Sequence, residues 1–275
     1  MRLFGTDAEL LEEAGCDVAR ITELERSLVA GLIECPRADI HVHVGRDRDG
    51  HELDVDGLLA DMDAWGIRRT VIFAPNDPGP DGDFADANAT VRRAAEVAPA
   101  RLIDFCRVDP EISALSVMEE AMRHGARGLK LHPIAQGRPP ESAASIACVR
   151  RATEFGWPVI MHAGFGARSL ADPFLGVLNA VPEARLILAH GARGDARAVS
   201  DALADHPGVW FDTSLATLSD LVILPRERLI FGTDRPYGDH ATALQLVDHA
   251  ARLAKWSEAD VRRVLVGNFD DILGA

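Results

Sequence analysis

Cysteine is scarce and scattered. Cys16, Cys35, Cys106 and Cys148 contain no CxxC pair, which excludes a dense disulfide framework and fits free thiols in a reducing cytosol. Long apolar runs are missing too, since no stretch approaches the ~18 uncharged residues that a membrane helix needs. The opening residues Met1-Arg2-Leu3-Phe4-Gly5-Thr6-Asp7 contain no apolar h-region and no cleavage signature, so the expected location is the cytoplasm. Positive charge is the third shortage. Lysine and arginine total 29 against 43 acidic residues, a net charge of −14. Such a surface repels phosphate backbones and anionic lipid, so neither nucleic acid nor membrane is an expected partner. An anionic small substrate stays compatible, because a site can be locally positive. Finally, the segment Val44-Gly45-Arg46-Asp47-Arg48-Asp49-Gly50 holds neither GxGxxG nor GxxxxGK[ST], which argues against a doubly wound nucleotide-binding sheet.

What is present is ordinary for a globular chain: 275 residues, 47% hydrophobic and 26% charged. A chain near this size hides roughly three quarters of its unfolded surface. Residues 7–34 place apolar side chains at offsets of three and four, the pattern of one or two amphipathic helices. From Ala38 the texture changes. Strand-like runs at 38–43, 69–74, 102–108, 127–132, 158–163, 185–190, 208–213 and 228–233 are rich in Val, Ile and Leu. Helical patterns fall between them, including 54–65, 85–97, 113–123, 144–155, 174–180 and 195–205, and 257–273 reads as a closing helix capped at Ser257. Strands alternating with helices pair in parallel, and continuous apolar runs suit strands covered on both faces. The expected fold is α/β, a (β/α)8 TIM barrel over 38–275 with an N-terminal helical extension over 1–37.

The polar residues of interest end the proposed strands. His41 and His43 end the first, Lys130 and His132 the fourth, His162 the fifth and His190 the sixth, and Asp234 follows the eighth. Residues i and i+2 of a strand share a face, so His41 and His43 point together into the barrel mouth, where barrel enzymes keep their chemistry. One HxH pair is weak, because ten histidines in this length supply about 0.4 such pairs by chance. The combination is stronger. His132, His162 and His190 follow one another at 30 and 28 residues, about one βα unit each. Several imidazoles and one carboxylate are the donor set of a divalent metal with an open position.

For His41, His43, His162 and Asp234 the alternative is a hydrogen-bonded polar interior, a costly burial without a shared partner. His190 suits a direct catalytic or substrate-polarising role. Lys130 is open between binding a substrate anion, pairing with an internal acid and bridging two metals, and His132 is as ambiguous. Arg46, Arg48, Arg107, Lys130 and Arg235 near the strand ends point to a carboxylated substrate, although Asp47, Asp49 and Asp109 offer local partners. Asn76, Phe165 and Tyr237 lie in rim loops. His51, His124, His206, His240 and His249 read as surface histidines, and Trp65, Trp157, Trp210 and Trp256 as packing residues.

These pieces together resemble the amidohydrolase superfamily, in particular its amidohydrolase-2 branch, which includes aminocarboxymuconate-semialdehyde decarboxylase-like enzymes. The resemblance rests on Asp39-Ile40-His41-Val42-His43, Gly128-Leu129-Lys130-Leu131-His132-Pro133, Val159-Ile160-Met161-His162-Ala163-Gly164, Leu188-Ala189-His190-Gly191 and Phe231-Gly232-Thr233-Asp234-Arg235-Pro236. They stand in the family's order across about residues 38–270. The resemblance implies one divalent metal, usually Zn2+ with Mn2+ or Fe2+ as alternatives, on His41, His43 and His162. Asp234 would be the last ligand or would accept a proton from the metal's water, and His190 would activate water or polarise the substrate. Lys130 lies near the carboxylated lysine of two-metal branches, but the Lys-Leu-His pattern looks more like the one-metal branch.

The expected function is a metal-dependent hydrolase acting on an amide, ester or lactone of a small acidic molecule. The alternative is a metal-dependent non-oxidative decarboxylase of an aromatic or unsaturated carboxylic acid, and a third reading is a non-catalytic metal-binding barrel. Lys130, His132, Arg107, Arg235 and Phe165 are the expected substrate contacts. Barrels of this kind often pair, so a homodimer is compatible with the sequence, which does not fix the oligomeric state.

Overall fold

The computed structural model describes residues 35–164 and 171–274, with Gly15, Glu23 and Ser27 besides. The extension expected over 1–37 lies almost wholly outside the described residues, and so does Phe165. The strands are β1 (Arg37–His43), β2 (Gly45–Arg46), β3 (Glu52–Leu53), β4 (Ile67–Phe73), β5 (Leu102–Asp104), β6 (Cys106–Arg107), β7 (Leu129–Leu131), β8 (Val159–Met161), β9 (Leu186–Leu188), β10 (Val209–Asp212) and β11 (Leu229–Ile230). β1, β4 and β5 form one parallel sheet and β6 to β11 another, while β2 and β3 make a small antiparallel hairpin above the barrel strands.

The two parallel sheets are one ring. β5 and β6 are halves of a single strand interrupted at Phe105, whose N–H donates to the Ile72 carbonyl at 2.9 Å while that of Cys106 donates to Gly128 at 2.9 Å. Gly128 lets this join pack, since a Cβ there would lie 2.2 Å from the Phe105 ring. On the other side Ile40 N–H donates to Phe231 O at 3.0 Å, Asp234 N–H to His41 O at 2.8 Å and His43 N–H to Arg235 O at 2.7 Å. The first strand is thereby sewn to the end of the last, and the fold is the TIM barrel that the alternating pattern predicts.

Apolar side chains divide into two layers. Ile40, Val71, Phe73, Ile103, Phe105, Ile160, Ile187 and Ile230 fill the barrel interior, and Phe269, Ile272 and Leu273 of the last helix join them. A larger cluster, including Leu58, Met62, Val91, Met118, Val149, Val177 and Leu244, joins the helices to the outer strand faces. Trp65 and Trp157 are buried in that layer, and Trp256 and Trp210 pack against the two clusters as expected.

The structure departs from the sequence pattern in several places. The eighth strand is only two residues long because Phe231 N–H turns to the Val264 carbonyl at 3.0 Å. The closing helix starts at the predicted Ser257–Asp260 capping box, but a π-turn over Arg263–Gly267 divides it before Asn268–Leu273. The 15-residue helix His240–Ala254 is absent from the predicted set, and His240 is fully buried rather than on the surface. Its position continues the buried face of Leu244, Val247 and Ala251, with Asp39 Oδ2 at 3.6 Å and the Trp65 ring stacked at 6.4 Å. Among the described residues, no helix is long and apolar enough to cross a membrane.

Candidate metal centre

The pairing of β1 with β4 slips between Asp39 and Val42, the mark of a bulge. Ala38 and Ile40 therefore join the inner apolar cluster, and beyond the slip His41 and His43 line the cavity at the strand ends. Gly232 leaves the room for this, because a Cβ there would stand 3.2 Å from both His41 Cβ and Ile40 Cγ2. The cavity measures about 250 Å3 and is lined by His41, His43, His162, His190 and Asp234 together with Arg107, Lys130, His132, Asn76 and Tyr237. The sequence places all of these at strand ends or in rim loops.

Asp234 is the hub. Its Oδ1 stands 3.0 Å from His41 Nε2 and 3.1 Å from His43 Nε2. Burial works against this carboxylate, but His41, His43 and His190 together hold it well below the ordinary range. Both Asp234 and His190 have φ of 60°, a left-handed conformation that is strained for a side-chain-bearing residue and recurs at functional sites. The structure retains it because Asp234 N–H is tied to His41 O and its own carbonyl accepts from Gly238 N–H at 2.9 Å.

The partners of each imidazole assign its tautomer. His41 Nδ1 faces Asp212 Oδ2 at 2.8 Å and His43 Nδ1 faces the Ala74 carbonyl at 3.0 Å. Both partners can only accept, so each ring carries its proton on Nδ1. Ser214 donates its hydroxyl proton to Asp212 Oδ1, so its oxygens accept from His190 Nδ1, at 2.9 Å for Oγ and 3.2 Å for O. His190 Nε2 is then a lone pair that accepts from His162 Nδ1 at 3.1 Å. The result is one continuous chain, from His162 through His190 and Ser214 to Asp212 and back to His41.

Burial and Lys130 work against a charge on His41, but Asp234 and Asp212 raise its pKa; at His43 the arrangement sets a lone pair against a carboxylate. Burial lowers the His43 pKa to about 3, so the ring is neutral and its bare Nε2 points at the anionic Asp234 oxygen 3.1 Å away. Two acceptors at that distance repel unless a cation stands with them. The donor set is therefore that of a divalent metal, and the residues fit one. His41, His43 and Asp234 form one compact group of ligand atoms, and His41, His190 and Asp212 form a second. The Asp212 oxygens are already taken up by His41, the His190 N–H at 3.0 Å and the Ser214 N–H at 2.9 Å, the pattern of a carboxylate that orients ligands. His162 stands in neither group and reaches them through His190, with its ring stacked on His132 at 3.8 Å.

The cationic residues divide. Lys130 Nζ lies 3.1 Å from His41 Nε2, and burial, partly offset by Asp234, lowers its pKa to about 7. Arg107 is fully buried on the cavity wall, with its pKa pushed down to about 10 by that burial. Arg235 departs from expectation: its guanidinium pairs with buried Asp61 of the helix Val55–Trp65, and it does not line the cavity. Arg48 Nε donates to the Asn76 carbonyl at 3.2 Å, and Arg46 is exposed.

Asp212, Ser214 and Asp39 went unassigned in the sequence. The polar tripeptide Asp212-Thr213-Ser214 closing a strand was the available signal for the first two. Asp39 accepts from His41 N–H at 3.0 Å, Thr233 N–H at 3.1 Å and Thr233 Oγ1 at 2.6 Å, which ties the first strand to the residue before Asp234.

Known proteins share this fold and give its family. No curated protein sequence matches the chain. Among solved structures, it is similar to a probable 2-pyrone-4,6-dicarboxylic acid hydrolase from Acinetobacter baumannii with citric acid bound, at 17% identity, TM-score 0.65 and coverage of 88% of this chain and 100% of that one. A dihydroxybenzoic acid decarboxylase from Polaromonas sp. JS666, with bound manganese and 2-nitroresorcinol, matches at 16% identity and TM-score 0.66, covering 86% and 96%. A 5-carboxyvanillate decarboxylase from Novosphingobium aromaticivorans DSM 12444, with manganese and 4-hydroxy-3-methoxy-5-nitrobenzoic acid, matches at 16% identity and TM-score 0.65, covering 88% and 97%. At these identities the likeness is one of fold. The Amidohydro_2 family model, described as Amidohydrolase, matches residues 38–273, nearly the whole barrel, and the chain belongs to that family.

Proposed function

We propose that this protein is a metal-dependent hydrolase that directs an activated water onto an amide, ester or lactone of a small carboxylated molecule. The observation that supports it most is Asp234, whose Oδ1 is shared by the Nε2 atoms of His41 and His43 and which stays anionic among them. His41, His43, His162 and Asp234 would hold one divalent ion, with Zn2+ favoured by the nitrogen-rich set. When bound, that ion would acidify a water and polarise a substrate oxygen.

The remaining chemistry belongs to the chain. Asp234 takes the proton of the attacking water and returns it to the leaving group. His190, with a bare Nε2 and a pKa lowered to about 4 by burial, accepts and orients protons at that atom; it does not donate to an oxyanion while neutral. Lys130 Nζ is the donor for charge developing on a substrate oxygen. Tyr237, whose hydroxyl donates to Asp47 Oδ2 at 2.7 Å and whose ring stands edge-on to His43 at 5.2 Å, shapes the mouth.

The test is elemental analysis combined with a substrate panel of lactones, esters and amides. His41→Ala, His43→Ala and His162→Ala each lower metal content, while His190→Asn keeps the metal and loses turnover. Normal metal content in the first three overturns the assignment. The second reading, decarboxylation of an aromatic or unsaturated acid, draws on a cavity of about 250 Å3 suited to a single-ring acid and on the fold shared with two decarboxylases. Carbon dioxide release without a hydrolytic product would favour it.

A further inference from the structure

Arg107 and Lys130 occupy paired positions on the neighbouring parallel strands β6 and β7. Both are buried, Arg107 completely. Two like charges side by side away from water are unfavourable unless an anion answers them. Among the described residues, Arg107 hydrogen-bonds no carboxylate. Its Nη1 donates to the Ala74 carbonyl at 3.0 Å and its Nη2 to Asn76 Oδ1 at 3.2 Å, both neutral acceptors. Its guanidinium lies 4.8 Å from the Phe84 ring centroid, and its buried Nε–H has no acceptor among the described residues. Asp234 acts on it only through space.

His132 adds a second donor to the same wall. Its Nδ1 accepts from Ala135 N–H at 3.2 Å, so its proton sits on Nε2. That tautomer is opposite to that of His41, His43, His162 and His190, which carry the proton on Nδ1. Arg107, Lys130 and His132 all line the one cavity.

We propose that Arg107 and His132 form a carboxylate-binding subsite distinct from the ligand set, in which the Arg107 Nε–H and the His132 Nε2–H grip one carboxylate of the substrate beside the charge of Lys130. The carboxylate is then a handle that survives the reaction rather than the group that reacts. This inference rests on the proposed carboxylated substrate and specifies where that group binds.

The experiment is calorimetric titration of the full chain, as isolated and after chelator treatment, with benzoate and with neutral benzamide. Benzoate binds about tenfold or more tightly than benzamide in both samples, the scale of a hydrogen bond to a charged group. Arg107→Gln removes that preference. His132→Asn, which keeps an acceptor for Ala135 N–H but has no donor at the Nε2 position, weakens benzoate severalfold, and His132→Gln, which keeps a donor, restores most of it. Absent benzoate binding, equal affinity for benzamide, or unchanged benzoate affinity in His132→Asn overturns the subsite. Should Arg107→Gln fail to fold, the wild-type contrast and the two His132 variants decide. Neither metal uptake nor turnover enters these titrations, so a failure of the hydrolase reading would show separately, in the metal analysis and the substrate panel.

Discussion

Asp212 Oδ2 accepts the Nδ1 proton of His41 at 2.8 Å, with both side chains buried. Through its other oxygen the same carboxylate holds the backbone N–H of His190 at 3.0 Å, the residue whose φ is 60°. One acid therefore sets the tautomer of a proposed ligand and secures the strained turn of a proposed catalytic residue. Asp212→Asn keeps the shape but offers a single good acceptor where two are used. Metal affinity should fall by about 10–100-fold, measured by competition with a chromogenic chelator. Unchanged affinity would reduce Asp212 to a packing residue.

His190 is separable from the metal. His190→Gln leaves His41, His43 and Asp234 in place and removes the aromatic acceptor at Nε2. The expected loss is about 10²–10⁴-fold in kcat with metal content intact, read by steady-state kinetics beside elemental analysis. Loss of metal in this variant would make His190 a ligand instead.

Gly238 guards the position of Asp234. A Cβ at 238 would lie 2.1 Å from the Thr233 carbonyl oxygen, a backbone atom that cannot swing aside. Gly238→Ala should displace the loop, lengthen the contacts of Asp234 with the two imidazoles and weaken metal binding at least about tenfold. Wild-type metal affinity in a folded Gly238→Ala protein would show that the loop tolerates the shift.

Much of this was readable in advance, for physical reasons. Val/Ile/Leu runs alternating with helical faces announce a parallel sheet covered on both sides, and the strand-end spacing of His132, His162 and His190 follows from one βα unit each. Other features depend on contacts between distant segments. Arg235 stands beside Asp234 in the chain yet pairs with Asp61, an acid 174 positions away. His240 carries a polar name on a buried face. The network of Asp212 and Ser214 uses common residue types whose role appears only once the closed barrel brings the ends of β1, β9 and β10 to one mouth. The slip in β1 has no mark in the sequence, yet it puts Ile40 and His41 on the same side of the strand.

Asp104 on β5 supplies a pH signature remote from the centre. Its Oδ1 has no hydrogen-bond partner among the described residues, and burial, with Arg92 opposing and Glu96 adding, raises its pKa to about 7. A carboxyl that holds its proton more tightly folded than unfolded lends stability that is full below the ordinary aspartate range and is lost as pH rises through about 7. Asp104→Asn should flatten that slope, gaining on the order of 1–2 kcal/mol at pH 8 and nothing at pH 4. Urea unfolding at the two pH values measures it, and an equal effect at both would contradict the linkage.

A cation joining the Nε2 atoms of His41 and His43 to the Asp234 carboxylate underlies the whole centre. An anomalous-difference map of zinc-loaded crystals, collected across the zinc edge, tests it most directly. A single strong peak is expected about 2.0–2.2 Å from both Nε2 atoms and from an Asp234 oxygen. A map with no peak there, the two rings still against the carboxylate at their present separation, would contradict it.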